Sequence, residues 1–309
     1  NWSTDISLAA GSTYTVVATA RDAALNVSSD STALSITVDT SAPAAPGTPD
    51  MTAGTDTGSS STDNLTNNQT PSFTVSCENG ASVQLRDTAT ATGTAGTCAG
   101  GTVTLTAGTL GGGAHSINAI QTDAAGNVST ASGNLAVTID VTADAATGTP
   151  DLTAGTDTGS SSTDDITNNA TPSFTVSCVT GSSVQLYDGA SATGAAGTCA
   201  AGTVTLTAAT LGTGAHNINA IQTDPAGNAS TASSNLSVTI DTTADAAPGT
   251  PDLQAASDTG ASSTDNITTD TTPTFDISCV TGSSVQLYSD AVASGTAATC
   301  AGGTVTLTT

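Results

Sequence analysis

Cysteines stand at 77, 178 and 279 and again at 98, 199 and 300, so both series advance by 101 residues. Asp39, Asp140 and Asp241 keep the same step, as do the pairs Pro49-Asp50, Pro150-Asp151 and Pro251-Asp252. A chain that repeats itself on this scale folds as a string of like domains, because each copy specifies the same local structure. The 309 residues divide into 1–41, which matches the later part of a unit, two whole units at 42–142 and 143–243, and 244–309, which matches the earlier part. The chain is therefore expected to be an excerpt of a longer array. A fibre whose subunits complete each other's ends is the alternative. In the repeat register Val305 then falls on Trp2 and Leu307 on Thr4, and this duplication favours the continuous array.

Within a unit the apolar period is two. Phe73, Val75 and Cys77 alternate with Thr74 and Ser76, and Val83 and Leu85 alternate with Gln84 and Arg86. Val103 and Leu105, Ile117 and Ala119, then Leu135, Val137 and Ile139 continue the pattern. These short β-branched runs are bounded by Gly, Asn, Asp, Ser and Pro, which is strand and turn chemistry. About seven strands in about 100 residues with one apolar face predict an all-β array of immunoglobulin-like sandwiches. Only seven aromatic residues are available to 309 positions, which suits several small cores rather than one large one. The Pro-bearing junction around Pro43-Ala44-Ala45-Pro46 predicts an extended, semi-rigid string.

The phrases ITVDTSAPAAPGTPD (36–50), TDTGSSSTDN (55–64) and TDAAGNVS (122–129) resemble the tandem immunoglobulin-like repeats of giant bacterial surface adhesins and biofilm-associated proteins. The resemblance covers essentially the whole chain and implies a stalk. Repeats of that kind usually lack cysteine, whereas three units here carry two each and residues 1–41 carry none. Lys–Asn isopeptide crosslinks, known in some such adhesins, are closed to a chain without lysine.

Three equally spaced cysteine pairs predict one disulfide per unit: Cys77–Cys98, Cys178–Cys199 and Cys279–Cys300. A zinc site would need four ligands, and no CxxC or neighbouring histidine pair exists. No basic neighbour is present to activate a free thiol. A bridge of this loop length is worth about 3 kcal/mol and belongs to an oxidising, extracellular setting.

Acidic residues number 26 against two arginines, for a net charge of −24. That excess rules against nucleic acid and anionic membrane as partners. No apolar run approaches the ~20 residues of a membrane span. The carboxylates recur with the repeat, and Asp39, Asp56 and Asp63, Asp140, Asp157 and Asp164, and Asp241, Asp258 and Asp265 are candidate calcium ligands at the junctions. Calcium takes six to eight oxygens, and the resembling adhesins use it to stiffen junctions. The competing reading makes the same residues turn formers that cap local backbone groups.

His115 and His216 occupy equivalent positions where residues 1–41 have Tyr14, so packing or hydrogen bonding is expected of them rather than catalysis. No serine sits in a nucleophile elbow. The repeated aspartates lack aromatic surface for sugar stacking, so glycoside hydrolysis is not expected, and neither is enzymatic activity of another kind. The sequons at Asn64, Asn127 and Asn235 are those expected of a Ser/Thr-rich chain. The resulting expectation is a structural extracellular stalk or filament whose partners are neighbouring repeats, with self-association into fibres possible. A module that binds a glycan or protein with the loops at one end of the sandwich is the alternative.

Overall fold

The structure is a computed structural model that describes residues 7–309. Trp2 and Thr4, and with them the register against Val305 and Leu307, lie outside the described residues. Two compact units divide the chain, residues 1–240 and 241–309. Among the described residues there are strands and turns but no helix long and apolar enough to cross a membrane.

The first unit opens with a hairpin-like pair, β1 (Ser12–Val16) antiparallel to β2 (Leu34–Val38), with Tyr14 opposite Ile36. Residues 42–142 then form a sandwich. One sheet joins β3 (Asp50–Met51), β5 (Ser72–Ser76) and β9 (Thr102–Thr106) in the order β3-β5-β9. The other contains β4 (Leu65–Thr66), β6 (Ser82–Asp87), β7 (Thr90–Ala91), β8 (Gly96–Thr97), β10 (Gly113–Thr122) and β11 (Leu135–Ile139). Its order is β4-β11-β10-β6-β7, with β8 also on β6.

The period-two pattern sets the register. Phe73 faces Leu105 across β5 and β9, and Ala119 faces Leu85 across β10 and β6. Phe73, Val75, Val83, Ile117 and Ala119 have no exposed surface, and with Leu85, Leu105, Val137 and Ile139 they fill the space between the sheets. The exposed threonines of β9 alternate with the buried positions. Nine strands are present where about seven were expected, because the opening segment divides between sheets and the stretch after β6 is split into β7 and β8. β3 pairs with β5, whereas β4 crosses to run parallel to β11.

Residues 143–243 repeat this plan, with Phe174, Val176, Val184, Leu186, Ile218 and Ile240 buried in equivalent places. There one strand, Ser191–Thr198, replaces β7 and β8 and pairs along Ser183–Asp188 with a bulge between Val184 and Leu186.

The second unit carries the early strands alone. Asp252–Leu253, Thr274–Ser278 and Thr304–Thr308 form one sheet, and Ser284–Ser289 pairs with Val292–Thr299. Ile277, Val285, Leu287, Val305 and Leu307 make its smaller core, and Phe275 packs against it only partly buried.

Candidate functional site

In a string of like sandwiches the parts to examine are what closes each one and what joins one to the next. Cys77 follows β5 and Cys98 follows β8, so their bond ties one sheet to the other. The sulfurs are 2.04 Å apart and the Cα atoms 5.9 Å. Cys178–Cys199 and Cys279–Cys300 repeat the arrangement at Cα separations of 6.0 and 6.1 Å. Backbone pairing supports the staple: Cys77 N donates to Gly101 O at 2.9 Å, and Cys98 N to Ala81 O at 2.9 Å. The second cysteine of each pair is fully packed, at 2–3% exposure.

The segment between residues 142 and 148 is bound rather than loose. Asp140 N donates to Thr66 O of its own sandwich at 2.9 Å. Asn228, in a loop of the next sandwich, donates from Nδ2 to Asp140 O at 2.9 Å. Ser182, fully buried, donates to Asp144 Oδ2 at 2.5 Å. Gln222 Nε2 donates to Ala145 O at 2.6 Å, and Gly148 N donates to Ser177 O at 2.9 Å. At the preceding junction Asn127 Nδ2 donates to Asp39 O at 3.2 Å and Gln121 Nε2 to Ala44 O at 2.8 Å.

Gln121 and Gln222 are the residues that sequence reasoning passed over. Each is buried and bridges the linker to the residue just after the first cysteine of the disulfide, since Gln121 Oε1 accepts from Glu78 N and Gln222 Oε1 from Val179 N, both at 2.9 Å. Their recurrence at the 101-residue step, each directly after the apolar run Ile-Asn-Ala-Ile at a position the structure buries, was the available signal. A second pairing recurs with it. Asp144–Ser182 replaces the apolar pair Pro43 and Ala81, and Asp245 with Ser283 repeats the hydrogen bond.

The candidate calcium ligands are all engaged in turns. Asp39, Asp140 and Asp241 accept from the backbone N of Ser41, Thr142 and Thr243 at 2.9–3.0 Å. Asp63, Asp164 and Asp265 accept from Leu65, Ile166 and Ile267 at 3.1–3.2 Å. Asp56, Asp157 and Asp258 lie beneath, each 4% exposed, with Oδ2 accepting from the backbone of residues 64, 165 and 266. The Oδ1 of each of these three has no hydrogen-bond partner. Burial pushes the Asp56 carboxyl above its ordinary pKa, with Asp63 adding to the shift, and burial beside Asp157 does the same to Asp165. The orphaned oxygens invite a proton or a cation. Among the described residues, however, no three acidic, histidine or cysteine side chains gather to hold a metal. The acidic side chains alone do not complete a calcium cage.

The loop Asp123–Asn127 is held by its own carboxylate. Asp123 accepts from Asn127 Nδ2 at 2.9 Å and from the backbone N of Ala125 and Asn127, and these bonds hold its pKa low. Asp22 is built the same way around Asn26.

The chain matches the family model of the bacterial Ig-like domain over residues 43–141, 144–242 and 245–309. No curated protein matches it. Solved structures similar to it include the Clostridium thermocellum CbhA fibronectin(III)-like modules, at 14% identity over 56% of this chain and 85% of that one, TM-score 0.36. A biofilm-associated protein BSP domain matches at 15% identity over 64% of this chain and 30% of that one, TM-score 0.24. The Bacteroides ovatus SGBP-B of a mixed-linkage glucan utilization locus, solved with a heptasaccharide, matches at 12% identity over 77% and 56%, TM-score 0.20. With an all-β sandwich repeated at the cysteine spacing and the family model matched three times in tandem, the chain belongs to the bacterial Ig-like domain family.

Proposed function

We propose that this chain is a structural segment of an extracellular stalk or filament, part of a large bacterial surface adhesin or matrix protein. The observation that carries the reading is the linker between 142 and 148, hydrogen-bonded to the following sandwich at Asp144, Ala145 and Gly148 and clamped at Asp140. A spacer needs joints that hold direction, and this one leaves little free chain. Disulfides fit a secreted or surface setting. The net charge of −24 keeps a long string soluble and apart from its neighbours.

Pulling the full chain by atomic force tests the reading. Bonded cysteines 21 residues apart shield about 70 Å of contour at roughly 3.3–3.6 Å per residue. Stepwise unfolding of discrete sandwiches, each step longer by that amount after reduction, is expected. Smooth extension without steps, or saturable capture on a glycan array, would replace the stalk by the loop-binding reading.

A further inference from the structure

In the 143–243 repeat a short turn, Cys178 to Ser182, connects strand Ser173–Ser177 to strand Ser183–Asp188. Cys199 holds that turn three times. Gly181 N donates to Cys199 O at 3.0 Å, Cys199 N donates to Ser182 O at 2.8 Å, and the disulfide ties Cys199 to Cys178. Ser182 N also donates to Val179 O at 3.1 Å, which closes the turn on itself. Three grips on the linker come from this pinned turn and its borders. Gly148 N is taken by Ser177 O, one residue before Cys178. Ala145 O is reached through Gln222, whose other end holds Val179 N, one residue after Cys178. Asp144 is taken by the hydroxyl of Ser182, whose carbonyl faces Cys199. The approach is close enough to need glycine, since a Cβ on Gly148 would stand 3.1 Å from Ser177 Cβ.

The seat recurs in the other two cysteine-bearing repeats. Gly47 N donates to Ser76 O and Gly249 N to Ser278 O, both at 2.8 Å. Cys98 N donates to Ala81 O at 2.9 Å and Cys300 N to Ser283 O at 2.8 Å. Gly80 N and Gly282 N return the tie, to Cys98 O at 3.0 Å and to Cys300 O at 2.9 Å. Ser283 grips Asp245 as Ser182 grips Asp144, whereas Pro43 and Ala81 leave the first of these repeats without that bond. A cross-link meant only to close a sandwich can join the sheets at any facing pair of suitable separation. In all three repeats this one lies between the residues that hold the linker.

We propose that the disulfide positions the joint as well as closing the sandwich. Cys178–Cys199 fixes turn 178–182 and through it the path of linker 144–148. Cys77–Cys98 and Cys279–Cys300 do the same for 43–47 and 245–249. The inference rests on the stalk reading and deepens it, because the covalent bond then lies where tension passes from the linker into the sandwich. A disulfide that acts only by restricting the unfolded chain leaves the folded linker as it was. One that holds the seat changes the folded linker when it is removed.

The test is native-state amide hydrogen exchange of the full chain, wild type against the double variant Cys178→Ala, Cys199→Ala. The Gly148 amide should exchange about tenfold faster, the factor that one weakened hydrogen bond commands, while Gly47 and Gly249 keep their rates. An unchanged rate at Gly148 overturns the proposal, even if strand Ser173–Ser177 exchanges faster. Because the double variant loses stability throughout its repeat, a reciprocal measurement keeps the bond and disturbs only the linker. In Gly148→Val the Cys178–Cys199 bond should be reduced at a roughly tenfold lower ratio of reduced to oxidised dithiol, since coupling between two sites is mutual. The dithiol gives two electrons and two protons to the two sulfurs and becomes a disulfide itself, and Cys77–Cys98 should keep its midpoint. Equal midpoints for Cys178–Cys199 in variant and wild type overturn the proposal. Either failure leaves the force-extension steps of the individual sandwiches intact, so the stalk reading would survive it.

Discussion

His115 Nδ1 lies 2.8 Å from Asp87 Oδ2, and His216 repeats the pair with Asp188 at 2.8 Å. The second ring nitrogen of each faces a carbonyl, Gly111 O at 2.9 Å and Gly212 O at 2.8 Å, an arrangement satisfied fully by the doubly protonated ring. At His115 burial opposes the charge, but the Asp87 hydrogen bond, the Gly111 carbonyl and the Asp87 charge together raise the pKa. At His216 the Asp188 hydrogen bond leads, against burial.

A raised histidine pKa has a definite sign in stability. The folded state holds the proton more tightly than the unfolded chain, whose histidines titrate near 6.5. The contribution is complete below that value and disappears as pH rises through the raised folded value. The melting temperature of the two complete sandwiches should therefore decline over that window. The double variant His115→Gln, His216→Gln should remove the decline. Proton NMR titration of the two imidazoles, with both midpoints above 6.5, provides the independent check.

Asp56 predicts a trend of the same sign at lower pH, this time because the charged form is the one penalised. Its folded pKa stands above the unfolded 3.8, so the charged form is penalised in the fold and the penalty is relieved as pH falls through the raised value. Asp56→Asn should raise the neutral-pH melting temperature of its repeat in chelator, with the gain vanishing in acid. Calcium added to the wild type provides the contrast. An increase in melting temperature that the variant loses would place the orphaned Oδ1 on a cation.

The disulfides set the scale of stability. Replacing Cys178 and Cys199 together by alanine should cost the repeat about 3 kcal/mol through the loosened unfolded state, lowering its melting temperature by roughly 10–20 °C. Denaturant unfolding with and without reductant measures it. Cys77–Cys98 should respond equally, since both bridges span 21 residues.

The sandwich was legible because its determinants are local and periodic. Alternation places Phe73, Val75, Val83 and Leu85 on the inner face, and a period of two admits no other register without exposing them. Joints were less legible. Thr57 and Ala226 meet across 169 residues, and nothing in either turn's own sequence names the other. The histidines were read as packing or hydrogen-bonding positions, but their aspartate partners sit 28 residues upstream on a neighbouring strand. Asp39, Asp56 and Asp63 read alike as turn acids or ligands. Only burial separates them, leaving Asp56 covered and Asp39 and Asp63 exposed.

Gln222 carries the last prediction. Its amide donates to Ala145 O in the linker and accepts from Val179 N beside Cys178, at 1% exposure. Truncation to alanine leaves two main-chain groups without their partner in a place water does not reach, which costs about 1–3 kcal/mol for each group stranded. Glutamate keeps the acceptor and loses the donor, and its charge is buried without a cation. Gln222→Glu should therefore destabilise the repeat more than Gln222→Ala at neutral pH, with the gap narrowing in acid as the carboxyl gains its proton. The linker should also loosen: amide hydrogen exchange at Ala145–Gly148 should accelerate in both variants while the buried strand Ser173–Ser177 stays protected. Acceleration spread evenly over the repeat would mean that Gln222 supports the core and not the joint.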